Sequence, residues 1–352
     1  SASHNSVEFN GIKLFAADGR KLSDEMEAEI ESLILDRPEE LRVAAGTAVG
    51  RLRRFQNAAE MYVTHLAELI PTRLDGMRIA IDCANGSASP VAESFFHRLG
   101  AEVEVIHAAP DGCNINAGCG STHIDGLMQH VTEGKFDAGL AFDGDADRCL
   151  AVDETGDLVD GDKMIAIMAK AYKDAGKLNN NTVVVTVMSN LGFTQFAKQE
   201  GIRRITSNVG DRYVIDTMML GGYNLGGEQN GHLFFLDDVP TGDGLLSGAK
   251  LLEVMRNSGQ KMSELASIMK RYPQVMINVR IPHYQRENWK NDGVITQLID
   301  QYEQELGSEG RILVRESGTE PLIRVMIEGS DFKRINVIAM EIAELIRQRI
   351  CK

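Results

Sequence analysis

Residues 143–148 read Asp-Gly-Asp-Ala-Asp-Arg, so three carboxylates alternate with two small residues and an arginine follows directly. Carboxylates at this spacing can converge on one cation only if the backbone between them turns tightly, which glycine and alanine allow. Three anionic oxygens suit a hard divalent ion such as Mg²⁺, and the sequence therefore predicts a metal site here. Arg148 reduces the negative charge of that site, which makes sense if its side chain reaches outward to an anion such as a phosphate.

Two other interpretations of this stretch compete with a magnesium site. An acid-rich stretch can be a solvated turn. It can also be a calcium loop of the EF-hand kind, because the three aspartates and Glu154 fall on positions 1, 3, 5 and 12 of that motif. Position 6 should then be glycine, and here it is Arg148. The flanking segments 136–142 and 149–152 are apolar runs of strand length, so the sequence predicts that the loop joins two strands.

A segment near the end of the sequence has the composition of a phosphate-binding loop. Ser317 and Thr319 offer hydroxyl groups, and Gly318 permits a positive φ, so that successive N–H groups can point into one concavity. Arg315 and Arg324 bracket the turn and can face the same anion. The alternative is an ordinary hairpin with surface arginines. The sequence contains neither a P-loop motif nor a dinucleotide fingerprint, so nucleotide binding has no support.

Histidines lie beside other polar side chains in two further segments. Glu228 and His232 bracket small polar residues; such a turn can hydrogen-bond sugar hydroxyls, and the imidazole can move protons near neutral pH. A histidine beside an apolar run is also a common structural residue. Residues 1–5, Ser-Ala-Ser-His-Asn, place hydroxyls next to a histidine. A phosphate-carrying serine fits a metal loop and an arginine-rich loop better than a protease triad does.

The elements around these segments predict an α/β fold, with repeated mixed α/β domains and a small C-terminal α+β domain. A β-α-β pattern starts at Met77 and another at Thr182, whereas the order after residue 272 is β-α-β-β-α. The first 70 residues contain a short strand at 12–15 and helices from Ser23 or Asp24 and from about Arg51. The predicted domains are 1–72 with the serine, 73–175 with the aspartates, 176–272 with the Glu228 turn and 273–352 with the arginine loop.

The composition is that of an ordinary globular chain of 352 residues, with 43% hydrophobic and 25% charged residues. The formal charge of −14 argues against a nucleic-acid surface, and no apolar run approaches the ~20 residues of a membrane span. Five cysteines at scattered spacings favour free thiols in a reducing cytoplasm. A zinc site at Cys113 and Cys119, with His107 or His123, is the less favoured alternative.

Taken together, these segments resemble, in order, the four active-site loops of the α-D-phosphohexomutase family. The matching stretches are 1–5, 143–148, 227–232 and 315–324, and residues 10–13 match as well. The resemblance covers the whole chain. It implies three domains of shared mixed α/β topology and a fourth, small α+β domain.

Within the family, residues 187–190, 209–213 and Gln229 look most like those of bacterial members that act on glucosamine phosphates. The resemblance implies an isomerase that interconverts glucosamine 6-phosphate and glucosamine 1-phosphate. Ser3 would carry the transferable phosphate. A hexosamine 1,6-bisphosphate would be the intermediate and the activator, and Mg²⁺ the cofactor.

The resemblance assigns roles to residues of all four loops. Mg²⁺ would offset charge on the transferring phosphoryl group, and His232 matches a proposed acid/base neighbour. One flexible phosphate grip would serve both orientations of the substrate. Catalysis is implied for Ser3, Lys13, Arg148 and His232, metal binding for Ser3, Asp143, Asp145 and Asp147, and substrate binding for Glu228, Asn230, Arg315, Ser317, Gly318, Thr319 and Arg324.

Three positions depart from the family pattern. Ser6 stands where proline is usual, and Asn230 where serine is usual. Ala146 replaces a common glycine, which we expect to be tolerable only if its φ is negative. We also expect that most of the first domain lies outside this chain, and that the chain alone has little or no mutase activity.

Other functions stay open at this point. A phosphomannomutase/phosphoglucomutase belongs to the same family, a Mg²⁺-dependent sugar phosphatase would use similar loops, and a calcium-binding or scaffold module is the non-enzymatic alternative. The expected partner is a phosphosugar, with a homodimer as an open option. A nucleic acid and a membrane are not expected partners.

Overall fold

The structure is a computed structural model that describes residues 2–285, 287–317 and 321–350. These residues form two units. The first comprises Ser1–Ser189 and Glu200–Ile268, and the second comprises Asn190–Gln199 and Met269–Lys352. Within the described ranges, no helix combines the length and the apolar character that crossing a bilayer requires.

The N-terminal part of the first unit contains two helices, α1 (Asp24–Leu35) and α2 (Ala58–Glu68). α1 begins at Asp24, as predicted, and Ser23 caps it, since its side chain accepts a hydrogen bond from Met26 N. The prediction of a helix from about Arg51 was wrong up to residue 57. Leu52 in that stretch is 96% exposed, so its apolar side chain gains nothing from helical packing. The predicted strand at 12–15 is a single bridge between Phe15 and Lys21.

The first mixed sheet is formed by strands that follow α2 in the sequence. Its elements are β1 (Arg78–Asp82), α3 (Ala92–Leu99), β2 (Glu102–Ile106), α4 (Asp125–Gly134), β3 (Ala138–Phe142), β4 (Cys149–Asp153), β5 (Leu158–Val159) and α5 (Gly161–Asp174). The strand order is β2-β1-β3-β4-β5. β1 pairs in parallel with β2 and β3, and β4 runs antiparallel to β3. Strands β3 and β4 are buried along their whole length, so they fix the loop between them.

A second mixed sheet repeats this arrangement. Its stretch of chain contains β6 (Thr182–Thr186), α6 (Leu191–Gln199), β7 (Arg203–Ser207), α7 (Asp211–Gly221), β8 (Leu225–Gly227), β9 (Leu233–Phe235), α8 (Gly244–Ser258) and α9 (Met262–Ala266). The order β7-β6-β8-β9 matches β2-β1-β3-β4, with two parallel pairings followed by an antiparallel one. The predicted repetition of mixed α/β domains is therefore present in the backbone.

The second unit is built on an antiparallel sheet. It contains β10 (Gln274–Arg280), α10 (Gly293–Leu306), β11 (Gly310–Glu316), β12 (Leu322–Gly329) and α11 (Phe332–Ile350). The order is β10-β12-β11, and an isoleucine-rich face of α11 packs on the sheet. This is the predicted small α+β domain, and the predicted fold class is confirmed.

Candidate active site

The loop 143–148, here called the metal loop, connects β3 to β4, as the sequence predicted. Phe142 and Cys149 are opposite each other in the last pairing of the two strands. Asp143 comes directly after a buried strand and is itself fully buried. The loop therefore starts and ends at fixed points, which suits a site that must hold several charges in one place.

The three aspartates of the metal loop converge. Asp143, Asp145 and Asp147 each offer one carboxylate oxygen, and these oxygens lie within 4.8 Å of one another. Oδ1 of Asp145 and Oδ1 of Asp147 are buried and have no hydrogen-bond partner among the described residues. Converging carboxylates with unsatisfied buried oxygens are what a hard divalent cation requires, so these residues fit a metal ion.

The backbone of the metal loop is tight, and one expectation about it was wrong. Ala146 has a φ of +60°, not the negative value expected for a residue with a side chain. Its carbonyl accepts a hydrogen bond from Gly244 N at 2.9 Å, at the start of α8. This hydrogen bond from outside the loop thus stabilises the left-handed conformation of Ala146.

Ser3 lies directly beside the metal loop. Its hydroxyl donates to Asp143 Oδ2 at 2.7 Å. Its φ of +56° places it in the left-handed region, which is uncommon for serine. A phosphate carried on Ser3 Oγ would therefore adjoin the carboxylates that converge on the cation position.

Lys13 also reaches the metal loop. Its Nζ donates hydrogen bonds to Asp145 and to Asp147, the latter at 3.0 Å. Burial works to lower the pKa of Lys13, but the hydrogen bonds and charges of the two aspartates outweigh it and raise the pKa. The side chain therefore stays cationic beside the carboxylates, where it can interact with a phosphate.

Arg148 pairs with a histidine that the sequence did not single out as a site residue. Its Nη1 lies 2.9 Å from His4 Nδ1, and its Nε lies 3.9 Å from carboxylate oxygens of Asp143 and Asp147. Burial and the nearby guanidinium lower the pKa of His4. A neutral His4 can accept a hydrogen bond from Arg148 and so fix the direction of the guanidinium.

The charges of the metal loop shift the pKa values of its members in opposite directions. Burial, followed by the charges of Asp147 and Asp145, raises the pKa of Asp143 to about 7. For Asp147, burial acts to raise the pKa, but the charges of His232 and Lys13 outweigh it and lower the pKa. Without a cation, one carboxyl of the cluster therefore holds its proton to near neutral pH.

The segment 228–232 is the turn between β8 and β9, and it faces the metal loop. Glu228 accepts a hydrogen bond from Gly210 N at 3.0 Å, and Asn230 donates to Glu228 at 3.3 Å. His232 Nε2 is buried without a hydrogen-bond partner among the described residues and lies 3.9 Å from Asp147 Oδ2. Burial is the first cause that lowers the pKa of His232, so the imidazole is a neutral base near pH 7.

The arginine-rich loop belongs to the second unit. Arg315 on β11 pairs directly with Arg324 on β12. Burial and the charge of Arg324 lower the pKa of Arg315. Like charges opposite each other destabilise a strand pair, so the arrangement makes sense when an anion binds between them. Ser317 is buried and its N–H donates to Leu322 O, whereas Gly318 and Thr319 lie outside the described residues.

The sequence also gave no sign of Asn116, which touches the serine segment. Asn116 lies in the asparagine- and glycine-rich loop after β2, and its Nδ2 donates to the carbonyls of Ser3 and Asn5, both at 2.8 Å. The composition of that loop predicts turns, but nothing in it points to a partner more than a hundred residues away.

Comparisons with known proteins show which protein family this chain is similar to. Models of four domains described as phosphoglucomutase/phosphomannomutase match the chain in order: α/β/α domain I at 1–40, domain II at 60–156, domain III at 160–272 and the C-terminal domain at 276–345. A curated "Phosphoglucosamine mutase" of Acetivibrio thermocellus is 51% identical over 350 residues, which are 99% of this chain and 78% of that protein.

Solved structures show the same fold at low identity. A phosphoglucomutase/phosphomannomutase family protein from Burkholderia thailandensis has a TM-score of 0.79 at 19% identity, over 99% of this chain and 75% of that one. The Aspergillus fumigatus N-acetylphosphoglucosamine mutase, solved in complex with GlcNAc-6P and magnesium, has a TM-score of 0.76 at 17% identity, over 99% of this chain and 88% of that one.

Proposed function

The chain belongs to the phosphoglucomutase/phosphomannomutase family, and we propose that it interconverts glucosamine 6-phosphate and glucosamine 1-phosphate through a phosphate carried on Ser3. The expected membership of the phosphohexomutases is thereby confirmed. Identity of about half to curated phosphoglucosamine mutases supports the amino sugar over mannose and glucose. The observation that carries the mechanism is the 2.7 Å hydrogen bond from Ser3 Oγ to Asp143, inside the aspartate cluster.

The transfer moves one phosphoryl group in each direction. The free hydroxyl of the bound sugar phosphate attacks the phosphorus on Ser3, the P–O bond to the serine breaks, and a 1,6-bisphosphate forms. The bisphosphate then rotates in the site so that its other phosphate faces Ser3. Ser3 Oγ attacks this phosphate, the bond between its phosphorus and the sugar oxygen breaks, and the product sugar phosphate leaves. The same bisphosphate added from outside would phosphorylate Ser3, and so act as the activator.

The proton of the attacking hydroxyl needs an acceptor. His232 is a buried imidazole with a lowered pKa and no hydrogen-bond partner on Nε2 among the described residues. Its neutral form can take the proton and return it in the reverse step. Lys13 and Arg148 lie at the metal loop and supply positive charge toward the transferring phosphate.

We propose that Asp143, Asp145, Asp147 and the Ser3 phosphate hold a Mg²⁺ ion. When bound, this ion would offset the negative charge that develops on the transferring group. Glu228 and Asn230 would orient sugar hydroxyls. The phosphate that is not reacting would be held by one loop, namely Arg315, Ser317, Gly318, Thr319 and Arg324.

We also propose four domains with boundaries at 1–72, 73–175, 176–272 and 273–352, each carrying one of the loops. In this assignment the serine, the aspartates, the sugar-binding turn and the phosphate-binding loop belong to successive domains.

The test compares hexose phosphates on the full-length protein. We expect kcat/KM to be highest for glucosamine phosphate, and ³²P from labelled bisphosphate to appear on Ser3. A preference for mannose or glucose phosphate would contradict the choice of substrate. Label that ends as inorganic phosphate and never on Ser3 would favour a phosphatase instead.

A further inference from the structure

The proposed phosphate carrier lies on a segment that has little support of its own. Residues 2–6, here called the serine loop, are half-buried or exposed. Ser3 adopts a φ of +56°, which a residue with a side chain adopts only at an energetic cost. Such a conformation persists when neighbouring groups hold it in place.

One buried amide spans the serine loop. Asn116 is 5% exposed, and its Nδ2 donates to Ser3 O and to Asn5 O, both at 2.8 Å. The first of these carbonyls lies within a turn over residues 2–5 and the second at its end, and Asn5 N closes this turn by donating to Ala2 O at 3.1 Å. The amide nitrogen must face them, because the amide oxygen would place three acceptors together.

Asn116 is itself fixed to the first mixed sheet. Its N–H donates to Ala84 O at 2.9 Å, just after the buried strand β1. Its own φ is +55°, a conformation that asparagine tolerates better than most residues. The side chain therefore projects from a rigid base rather than from a mobile loop tip.

The metal loop completes the support from the other side. Gly144 N donates to Ser3 O at 3.1 Å, so one carbonyl accepts from both Gly144 and Asn116. A Cβ on Gly144 would lie 2.6 Å from Ser3 O and 2.7 Å from Asn116 Nδ2. The close approach of the three residues thus depends on glycine at this position.

We propose that Asn116 is a positioning residue for phosphoryl transfer, which holds the backbone of Ser3 so that Oγ stays on the aspartate cluster. This inference rests on the proposed function, because the position of Ser3 matters for the reaction only if Ser3 carries the phosphate. Asn116 contacts the carbonyls of the serine loop and not Ser3 Oγ. Its loss is therefore expected to affect the rate of transfer more than the binding of substrate.

Two variants of the full-length protein separate this role from a general effect on folding. Asn116→Gly permits the positive φ and removes both donors, whereas Asn116→Asp keeps the size of the side chain and replaces the donor by an acceptor. Asn114→Ala is the matched control. Asn114 lies in the same loop, and its side chain bonds to Ala109 O and Asp111 N.

The readouts are hydrogen–deuterium exchange and steady-state kinetics. In both Asn116 variants we expect the amide exchange rate of the serine loop to rise about tenfold, because two hydrogen bonds to the loop are lost. The exchange rate of β4 should not change. We expect kcat to fall about tenfold to a hundredfold with KM nearly unchanged. Asn114→Ala should stay within about twofold of the wild type in both measurements.

The outcomes discriminate between the two proposals. Unchanged exchange in the serine loop, an Asn116→Asp variant as active as the wild type, or a loss that resides in KM would overturn the positioning role. A wild-type protein that turns over no hexose phosphate would overturn the proposed function instead. The exchange data would then still decide whether Asn116 holds the serine loop.

Discussion

The metal loop (143–148) and the serine loop (2–6) are joined by several hydrogen bonds, yet they are supported in different ways. The metal loop links two strands whose residues are all buried. Cys149, at its exit, also donates its N–H to Gly231 O at 3.0 Å, which ties the loop to the turn that carries His232. The side of the site that carries the three aspartates is therefore anchored by the sheet and by a second loop.

The serine loop does not join buried strands, and only a few contacts hold it. It is held by side-chain contacts with Asn116, Asp143 and Arg148 and by a hydrogen bond from Gly144 N. The apolar side chains that follow it are exposed, Phe9 by 62% and Ile12 by 90%. The charges of the metal loop are therefore held in fixed positions, whereas the alignment of Ser3 depends on a few contacts. Substitutions in the metal loop should alter charge and metal affinity, and those around the serine loop should alter alignment.

The largest expected effect comes from removing the proposed phosphate carrier. We predict that Ser3→Ala in the full-length protein lowers kcat by about 10⁴-fold or more. Residues that act together in catalysis lose nearly all of their rate enhancement when the nucleophile is removed. Ser6→Ala is the control: Ser6 is exposed on the same loop and should retain wild-type turnover. Labelling with ³²P-bisphosphate checks the result. Label incorporated into the Ser3→Ala protein at the wild-type level would contradict the assignment.

The metal loop should respond next. Asp145→Asn removes one charge from the converging set, and we predict a loss of about 10²-fold to 10³-fold in kcat together with weaker Mg²⁺ binding. Asp174→Asn makes the same chemical change on the surface, where the side chain is 58% exposed and pairs with Lys170. That control should stay within about twofold of the wild type. Titration of activity with Mg²⁺ tests both variants, and equal Mg²⁺ dependence in the two would refute the ligand role of Asp145.

Sequence reasoning worked best where the chemistry is local. Three aspartates that alternate with small residues predicted a tight turn on which the carboxylates converge, and the β-α-β pattern predicted from Thr182 begins with a strand that is buried throughout. The strand pair around the metal loop followed from two apolar runs. Short-range sterics and hydrophobic burial decide such features, and both are visible in a window of a few residues.

The errors share a different cause. The contact between Asn116 and Ser3 joins segments 113 residues apart, and no local pattern encodes it. The positive φ of Ala146 is set by a carbonyl that meets the start of α8, not by the preference of alanine. The helix expected before residue 58 has an apolar stripe, but Leu52 in it is almost fully exposed. Tertiary contacts, or their absence, overrode the local signal in each case.

A smaller effect should appear in the stability of the metal-free protein. The folded-state pKa of Asp143 is raised to about 7 from its ordinary 3.8, so the unfolded chain releases this proton first as the pH rises. The protein should therefore lose stability between these two pH values and change little above the higher one. Because Mg²⁺ binds the ionised form, its stabilising effect should be larger at about pH 8 than at about pH 5.

Thermal unfolding with Mg²⁺ and with a chelator measures this difference. Asp143→Asn provides the control, since an amide has no proton to release and the pH dependence from this group should disappear. An equal increase in Tm on adding Mg²⁺ at both pH values would show that the carboxylates are already ionised without the metal. The metal loop would then be less strained electrostatically than the burial of Asp143 implies.

The smallest expected effect concerns the backbone strain that both loops contain, at Ser3 and at Ala146. Glycine adopts a positive φ without steric cost but loses more entropy on folding, so Ala146→Gly should raise the free energy of unfolding by only about 0.5 kcal/mol. Ala141→Gly makes the same change in the extended, buried strand β3, where it should lower that free energy by about 1 kcal/mol. Denaturant unfolding of both variants gives the comparison. A loss at both sites would mean that the contact with Gly244 already compensates the strain at Ala146, whereas opposite signs would show that the sheet holds the metal loop in a conformation that its own sequence disfavours.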